Sequence, residues 1–446
     1  MRFFQIILIS LMVCVVSLSA SDIAVTIYNG NMSLVRDVRE NKFEMGRQVF
    51  EFTDVAASID PTSVHFKSLT APGQVHILEQ NFEYDLVGMD RLLETYLDQT
   101  VQLVTRQENF LQGKLASSNN GYIVLMTQNG KVRAIAKDVI EHVEFPELPA
   151  GLKTRPTLVW LLDADKAGTH KTEISYLTGD MSWDAQYVGV VNEDDDRLEL
   201  SAWVSIHNTS GATYKDAVIK LVAGDLNKAS EEKRVQRLDR AMVAAEAPQQ
   251  FQQEELFEYH LYRLQRPATL KDRQVKQISL FSPQTAPAEK RFIYDGQKQK
   301  VRVDLEFMNS EENGLGMPLP KGKVRVYKES KDGAQEFIGE DRIDHTPKDE
   351  RVRLTLGNAF DVVGERTVKS RERVTSNTRQ ETVEISLRNH KQNDITVTVV
   401  EHFWGDWEFV GSTPKISRRT ATLCEFAVDV AADQEKTFTY TVLYRQ

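Results

Sequence analysis

Val301-Arg302-Val303-Asp304-Leu305-Glu306-Phe307 alternates apolar and charged residues without a break. Successive side chains of an extended chain point to opposite faces, so this stretch turns four apolar groups one way and three charges the other. It reads as a half-buried strand. The same period of two recurs in Val324-Arg325-Val326-Tyr327 and Val383-Glu384-Ile385-Ser386-Leu387. One wet face per strand suits antiparallel sheets. Asn29-Gly30, Asn129-Gly130 and Asp332-Gly333 supply residues that tolerate positive φ, as tight hairpin turns require. The expected fold class is all-β, a multidomain antiparallel β-sandwich protein.

Two stretches depart from this alternation. Over Asp85 to Gln99, Leu86, Met89, Leu93 and Tyr96 fall at helical spacing, with Asp85 placed to cap the start. Five short strands are expected next, over Val101 to Thr105, Phe110 to Ala116, Tyr122 to Thr127, Val132 to Ile135 and Val139 to Phe145. A helix followed by five strands resembles an SH3-like or Sm-like small barrel, inserted over 85–148 and bounded by Pro146 and Pro149. The second departure is Lys228 to Pro267, rich in charge and glutamine and broken by Pro248. It reads as a solvated, partly helical linker.

At the amino terminus Arg2 precedes an apolar run from Ile6 to Leu18, which closes on Ser19-Ala20-Ser21. That is the pattern of a cleaved secretory signal over 1–20, too short to span a bilayer comfortably. Bulky Val13 before Cys14 argues against lipid attachment at that cysteine. Without Arg2 the chain keeps 54 basic against 65 acidic side chains, a net charge of −11. Such a balance disfavours nucleic acid and anionic lipid, which call for a basic face. Loss of Cys14 leaves Cys424 as the single thiol, so stability must come from core burial rather than a disulfide.

Chemistry-bearing motifs are sparse. No H-E-x-x-H, C-x-x-C, nucleophile elbow or phosphate loop occurs, and no metal or cofactor is expected. Asp163 to Gly168 opens like a calcium loop, but Ala167 and Ile174 stand where ligands are needed, so a hairpin turn is the better reading. Asn192-Glu193-Asp194-Asp195-Asp196 packs acids into one loop without ligand spacing, which suits a solvated turn better than an ion site. The richest constellation is Glu401-His402-Phe403-Trp404-Gly405-Asp406-Trp407-Glu408. In a strand, His402, Trp404 and Asp406 share one face and Glu401, Phe403 and Gly405 the other. A His, an indole and a carboxylate together make a sugar-binding or acid-base patch. Against it stands core packing, the commoner use of large aromatics such as Trp404 and Trp407. Exposure of the two indoles decides between these readings.

From Leu158 onward several segments carry a resemblance. They are Trp183-Asp184-Ala185-Gln186-Tyr187, Trp203 to Gly211, Lys220-Leu221-Val222-Ala223-Gly224, Leu319 to Tyr327, Gly357-Asn358-Ala359-Phe360-Asp361, Asn389, Val397 to Glu401 and Gly405-Asp406-Trp407. In order and spacing they resemble the bacterial family called domain of unknown function 4139. The resemblance implies an extracytoplasmic β protein and carries over no catalytic motif. The expected organisation is a signal over 1–20, an amino-terminal β region over 21–84, the barrel over 85–148, a first family-like part over 149–227, the linker over 228–267 and a second part over 268–446. The expected role is that of an exported, envelope-associated structural or interaction module without catalysis, periplasmic or extracellular, with a protein or envelope polysaccharide as partner. The alternative is a glycan binder, or a hydrolase that gathers Asp406 with Asp184 or Glu340.

Overall fold

Met181–Val191 shows how alternation becomes structure: every odd residue from Met181 to Val191 is buried and every even one is partly exposed. The computed structural model describes residues 22–84, 88–147, 153–224, 251–256, 259–298, 300–411 and 415–445. The expected signal over 1–20, the Asp85 cap and most of the linker, 228–250, lie outside the described residues. No helix among the described residues is long and apolar enough to cross a membrane.

Four sheets account for nearly all the regular structure, and the fold is all-β. An eight-stranded sheet runs in the order Phe251–Leu256, Tyr259–Leu264, Tyr214–Ala223, Ile23–Tyr28, Met32–Phe43, Gly168–Thr178 and His65–Ser68, with Ala268–Leu270 also paired to Tyr214–Ala223. A three-stranded sheet flanks Thr157–Ala164 with Gly46–Thr53 and Val75–Glu83. The amino-terminal strands are thus completed by strands that follow the barrel. The segments 22–84 and 153–224 share sheets and one core, in which Val25, Trp160, Trp183 and Tyr187 are buried together.

Within 88–147, one short helix, Met89–Thr95, precedes Thr100–Thr105, Phe110–Ser117, Tyr122–Met126, Val132–Ala136 and Ile140–Glu144. These five strands are antiparallel, the fifth lying beside the first. Leu93 and Tyr96 pack on Val101, Leu103, Leu115 and Leu125 in a core of their own. The helix is shorter than its apolar spacing predicts. Asp98 adopts a φ of 66°, and its N–H turns to the Leu115 carbonyl at 2.8 Å, which ends the helix and starts the sheet.

The thirteen-stranded sheet joins the rest. Two strands are long enough to serve two cores. Gln274–Asp295 pairs first with Arg197–Asn208 and then with Lys300–Asn309, and Glu350–Thr375 pairs with Lys300–Asn309 and then with Thr378–Asn389. Through them the first core reaches Leu354. A second core, from Phe292 to Val442, is built around Phe403, Phe426 and Tyr440.

Two expectations need correction. The expected linker over 228–267 is too long. Phe251–Leu256 and Tyr259–Leu264 form a hairpin at the end of the eight-stranded sheet, because Leu261, Tyr262 and Leu264 are buried and the Tyr262 hydroxyl donates to the Pro318 carbonyl at 3.1 Å. Nor are the sheets purely antiparallel. Ile23–Tyr28 runs parallel to Tyr214–Ala223, Met181–Val191 to Gly322–Glu329, and Gln274–Asp295 to Ile395–His402. A hairpin turn reverses the chain and forces antiparallel neighbours, whereas strands more than a hundred residues apart in sequence are free of that constraint.

Candidate functional site

Strand Ile395–His402 delivers the constellation read from the sequence, and the period of two sorts it. Glu401 and Phe403 point inward and are buried, His402 is half-buried, and Trp404 is 65% exposed. Gly405 then takes a φ of +69°, a left-handed conformation that costs glycine little and turns the chain into Asp406–Val410. That strand pairs with Gln434–Arg445, Asp406 opposite Arg445 and Trp407 opposite Tyr444. The two indoles therefore part company. Trp407, 8% exposed, stacks on Phe403 with ring centroids 4.2 Å apart and donates from Nε1 to the Ala421 carbonyl at 2.6 Å. Trp404 stays open to water.

Beside Trp404 lies a cleft of about 650 Å³, lined also by Gly296, Arg366, Arg371, Arg379, Glu381, Glu401, His402, Tyr444 and Arg445. Its volume lies within the roughly 300–1,000 Å³ of small-ligand sites, but its walls are far more polar than usual. Five separate segments meet there, and sequence reading missed its arginines because each is an ordinary wet-face residue of its own strand. Arg366 Nε approaches both Glu401 oxygens at 3.2 and 3.1 Å, and its Nη2 lies 3.4 Å from the Tyr440 hydroxyl. Burial pushes the Glu401 carboxyl up; bonds from Tyr440 and Arg366 pull it down without cancelling that. Arg371 Nε donates to Glu381 at 2.5 Å. Arg445 pairs with Asp406 at 3.6 Å and with Glu408. Arg379 lies over the Tyr444 ring at 5.4 Å and makes no ion pair among the described residues. His402 Nε2 sits 3.6 Å from Asp295.

The acids named for a hydrolase are not brought together. No ion pair or cleft among the described residues joins Asp406 to Asp184 or Glu340: Asp406 faces Arg445, Asp184 faces His207, and Glu340 faces Lys323 and Arg325. Asp184 and Glu340 do share a surface, linked through Gln186 and Arg325: Arg325 donates to Gln186 at 3.2 Å and lies 3.5 Å from Glu340. A hydrogen bond from Lys323 holds the Glu340 carboxyl below its ordinary value, so it is a poor proton donor. In the acidic loop Asp195 is taken up by Lys290 and Lys328, and Asn192 caps the Asp196 and Arg197 amides at 3.1 and 2.9 Å. Among the described residues no group of three His, Cys, Asp or Glu is placed to hold a metal ion.

Residues that carried the resemblance mostly hold strands and turns. Trp183 Nε1 donates to the Val222 carbonyl at 3.2 Å and the Tyr187 hydroxyl to that of Pro320 at 2.7 Å. Asn208 and Asn389 each use Nδ2 to tie down three backbone carbonyls at turns and strand ends. What the fold and cleft define is a β protein of packed, mixed sheets with a polar surface cleft roofed by an open indole. Residues 172–404 match the family described as "Domain of unknown function (DUF4139)", and since that match spans more than half of the chain, the protein belongs to this family. The match ends at Trp404, so it takes in the Arg366, Arg371, Arg379 and Glu381 side of the cleft. A comparison with curated proteins gives no match.

Proposed function

We propose that this protein is an exported, envelope-associated binding module that takes a polysaccharide at the Trp404 cleft and does no chemistry on it. The open indole of Trp404, 65% exposed at the mouth of the cleft, carries the reading. A sugar ring offers an apolar face for an aromatic to stack on and a rim of hydroxyls for charged, planar side chains to bond. Trp404 supplies the first, and Arg371, Arg379 and Glu381 supply the second. The cleft's two carboxylates are each tied to an arginine, Glu401 to Arg366 and Glu381 to Arg371. Glycoside hydrolysis calls for an acid and a base free to face the bond, so binding fits these residues better than hydrolysis. The amino-terminal Arg2, apolar run and Ser19-Ala20-Ser21 support export, and the net negative charge argues against nucleic acid.

The test is retention of the mature protein on purified envelope polysaccharide. Trp404→Ala should abolish retention while the thermal melt stays unchanged. Retention equal to wild type would remove the reading, and release of reducing sugar by the wild type would replace it with the hydrolase.

A further inference from the structure

A second cleft of about 340 Å³ is lined by Ile293, Asp295, Lys298, Lys300, Arg302, Thr355, Gly357 and Asn358. We propose that it is an anion subsite continuous with the Trp404 cleft, and that the ligand is an acidic polysaccharide lying across both. This rests on the polysaccharide reading above and gives it a charge.

The two clefts meet at one point of the chain. Asp295 lines the second cleft, Gly296 the first. The Asp295 carboxylate reaches across to His402, 3.6 Å away, which lines the first. A break in strand register opens the second cleft: Lys300 pairs with Val363, but Arg302 pairs with Asn358. A step of two residues on one strand is thus matched by a step of five on the other. Of the surplus residues Val362 is buried and Ala359 packs on the second core, while Phe360 is exposed, and such irregularities re-aim side chains. Phe360, 96% exposed, is a second open aromatic, two residues along the chain from Asn358, which lines the cleft.

The cations differ in how they are engaged. Arg302 is held by Asp304, fully buried, through bonds of 2.8 and 2.9 Å. Lys298 lies 3.8 Å from Asp295. Lys300 is exposed and makes no ion pair among the described residues. Asp295, Asp304 and Asp341 answer Arg302 and Lys298, so Lys300 is the cation left over; with Asn358 offering an amide in the same cleft, it forms with them a donor cluster that a carboxylate on a sugar chain can enter. A neutral chain has no use for such a cluster. The chain as a whole is negative, so the attraction must be local, and salt will weaken it strongly.

The test uses the mature protein, polygalacturonate as a carboxylated chain and its methyl ester as the neutral chain of the same backbone, with affinities read by calorimetry. Wild type should bind the acidic chain more tightly. Lys298→Ala/Lys300→Ala should weaken that binding roughly tenfold, as two exposed charge contacts allow, and leave the ester unaffected. Trp404→Ala should weaken both. Wild type binding the two polymers equally, with Trp404→Ala losing both, would overturn the acidic subsite and spare the polysaccharide reading. Binding of neither polymer by the wild type, or preference for double-stranded DNA over both, would overturn the subsite and the reading together. Both lysines are exposed, so the double variant should melt like wild type.

Discussion

Replacing Trp407 by alanine separates packing from recognition in the segment where the two lie three residues apart. The indole is 8% exposed, stacked on Phe403, edge-on to Phe409 at 5.3 Å and capped by the Arg419 guanidinium at 4.5 Å. Emptying a buried aromatic site costs about 3–5 kcal/mol. The lower end applies here: the site lies at the edge strand Asp406–Val410, where water can refill it, and Ala421, whose carbonyl loses its bond, is exposed. A loss of about 3–4 kcal/mol lowers the melting temperature by roughly 6–16 °C in a unit of some 150–250 residues. Trp404→Ala should shift it hardly at all, since truncating an exposed side chain changes stability by about 0.5 kcal/mol or less. Asp406→Asn should be equally quiet, because its carboxylate is 67% exposed and its Arg445 contact long. Far-ultraviolet circular dichroism melts of the three variants, run beside polysaccharide retention, read both properties. A normal melt for Trp407→Ala, or a collapsed one for Trp404→Ala, would refute the assignment of the two indoles.

Other perturbations probe buried charges and the second core. A Cβ on Gly296 would lie 2.0 Å from Glu401 Oε1, so Gly296→Ala should displace the Arg366–Glu401 pair and weaken polysaccharide binding more than it lowers the melt; unchanged affinity would contradict the cleft geometry. Glu306 is 3% exposed, and although desolvation raises its carboxyl, hydrogen bonds from Arg291 and Arg353 outweigh that and hold it below the ordinary value. Such a group stabilises the fold above its unfolded pKa, near 4.3, and the contribution is lost as pH falls through the folded value. Glu306→Gln should therefore cost about 3 kcal/mol at neutral pH and progressively less below about pH 4, and urea titrations showing one cost at both would overturn the pairing. Burial pushes the Cys424 thiol up to about 11 and leaves it without exposure, so a disulfide reagent should label it only after unfolding. Rapid labelling of the native protein would place it elsewhere.

How much of this was legible beforehand varies residue by residue. Trp404 and Trp407 share a short segment, and alternation already assigns Trp404 the face of His402 and Asp406. It could not say which face was wet, because burial is decided by what packs on the strand. Phe403, Phe409, Phe426 and Tyr440 supply that packing. The hairpin Phe251 to Leu264 was lost among glutamates and glutamines, because at the end of a sheet a few inward apolar groups suffice. The Arg371–Glu381 and Arg366–Glu401 pairs left no local trace, being 10 and 35 residues apart in sequence.

By itself the sequence determined the all-β class, the alternation of most strands and membership of the family, since each follows from residues within one short window or from segments in fixed order; Asp304 and Glu306, on the charged face of Val301 to Phe307, are nevertheless buried, because arginines of neighbouring strands cover them. Tertiary structure alone decided which strands became neighbours. The parallel pairing of Ile23–Tyr28 with Tyr214–Ala223, the passage of Gln274–Asp295 from one core into the next, and the meeting of five segments around Trp404 are of this kind. A period of two tells each side chain which way to face, but carries nothing about the strand beside it. That choice is made by the burial that distant strands achieve only together.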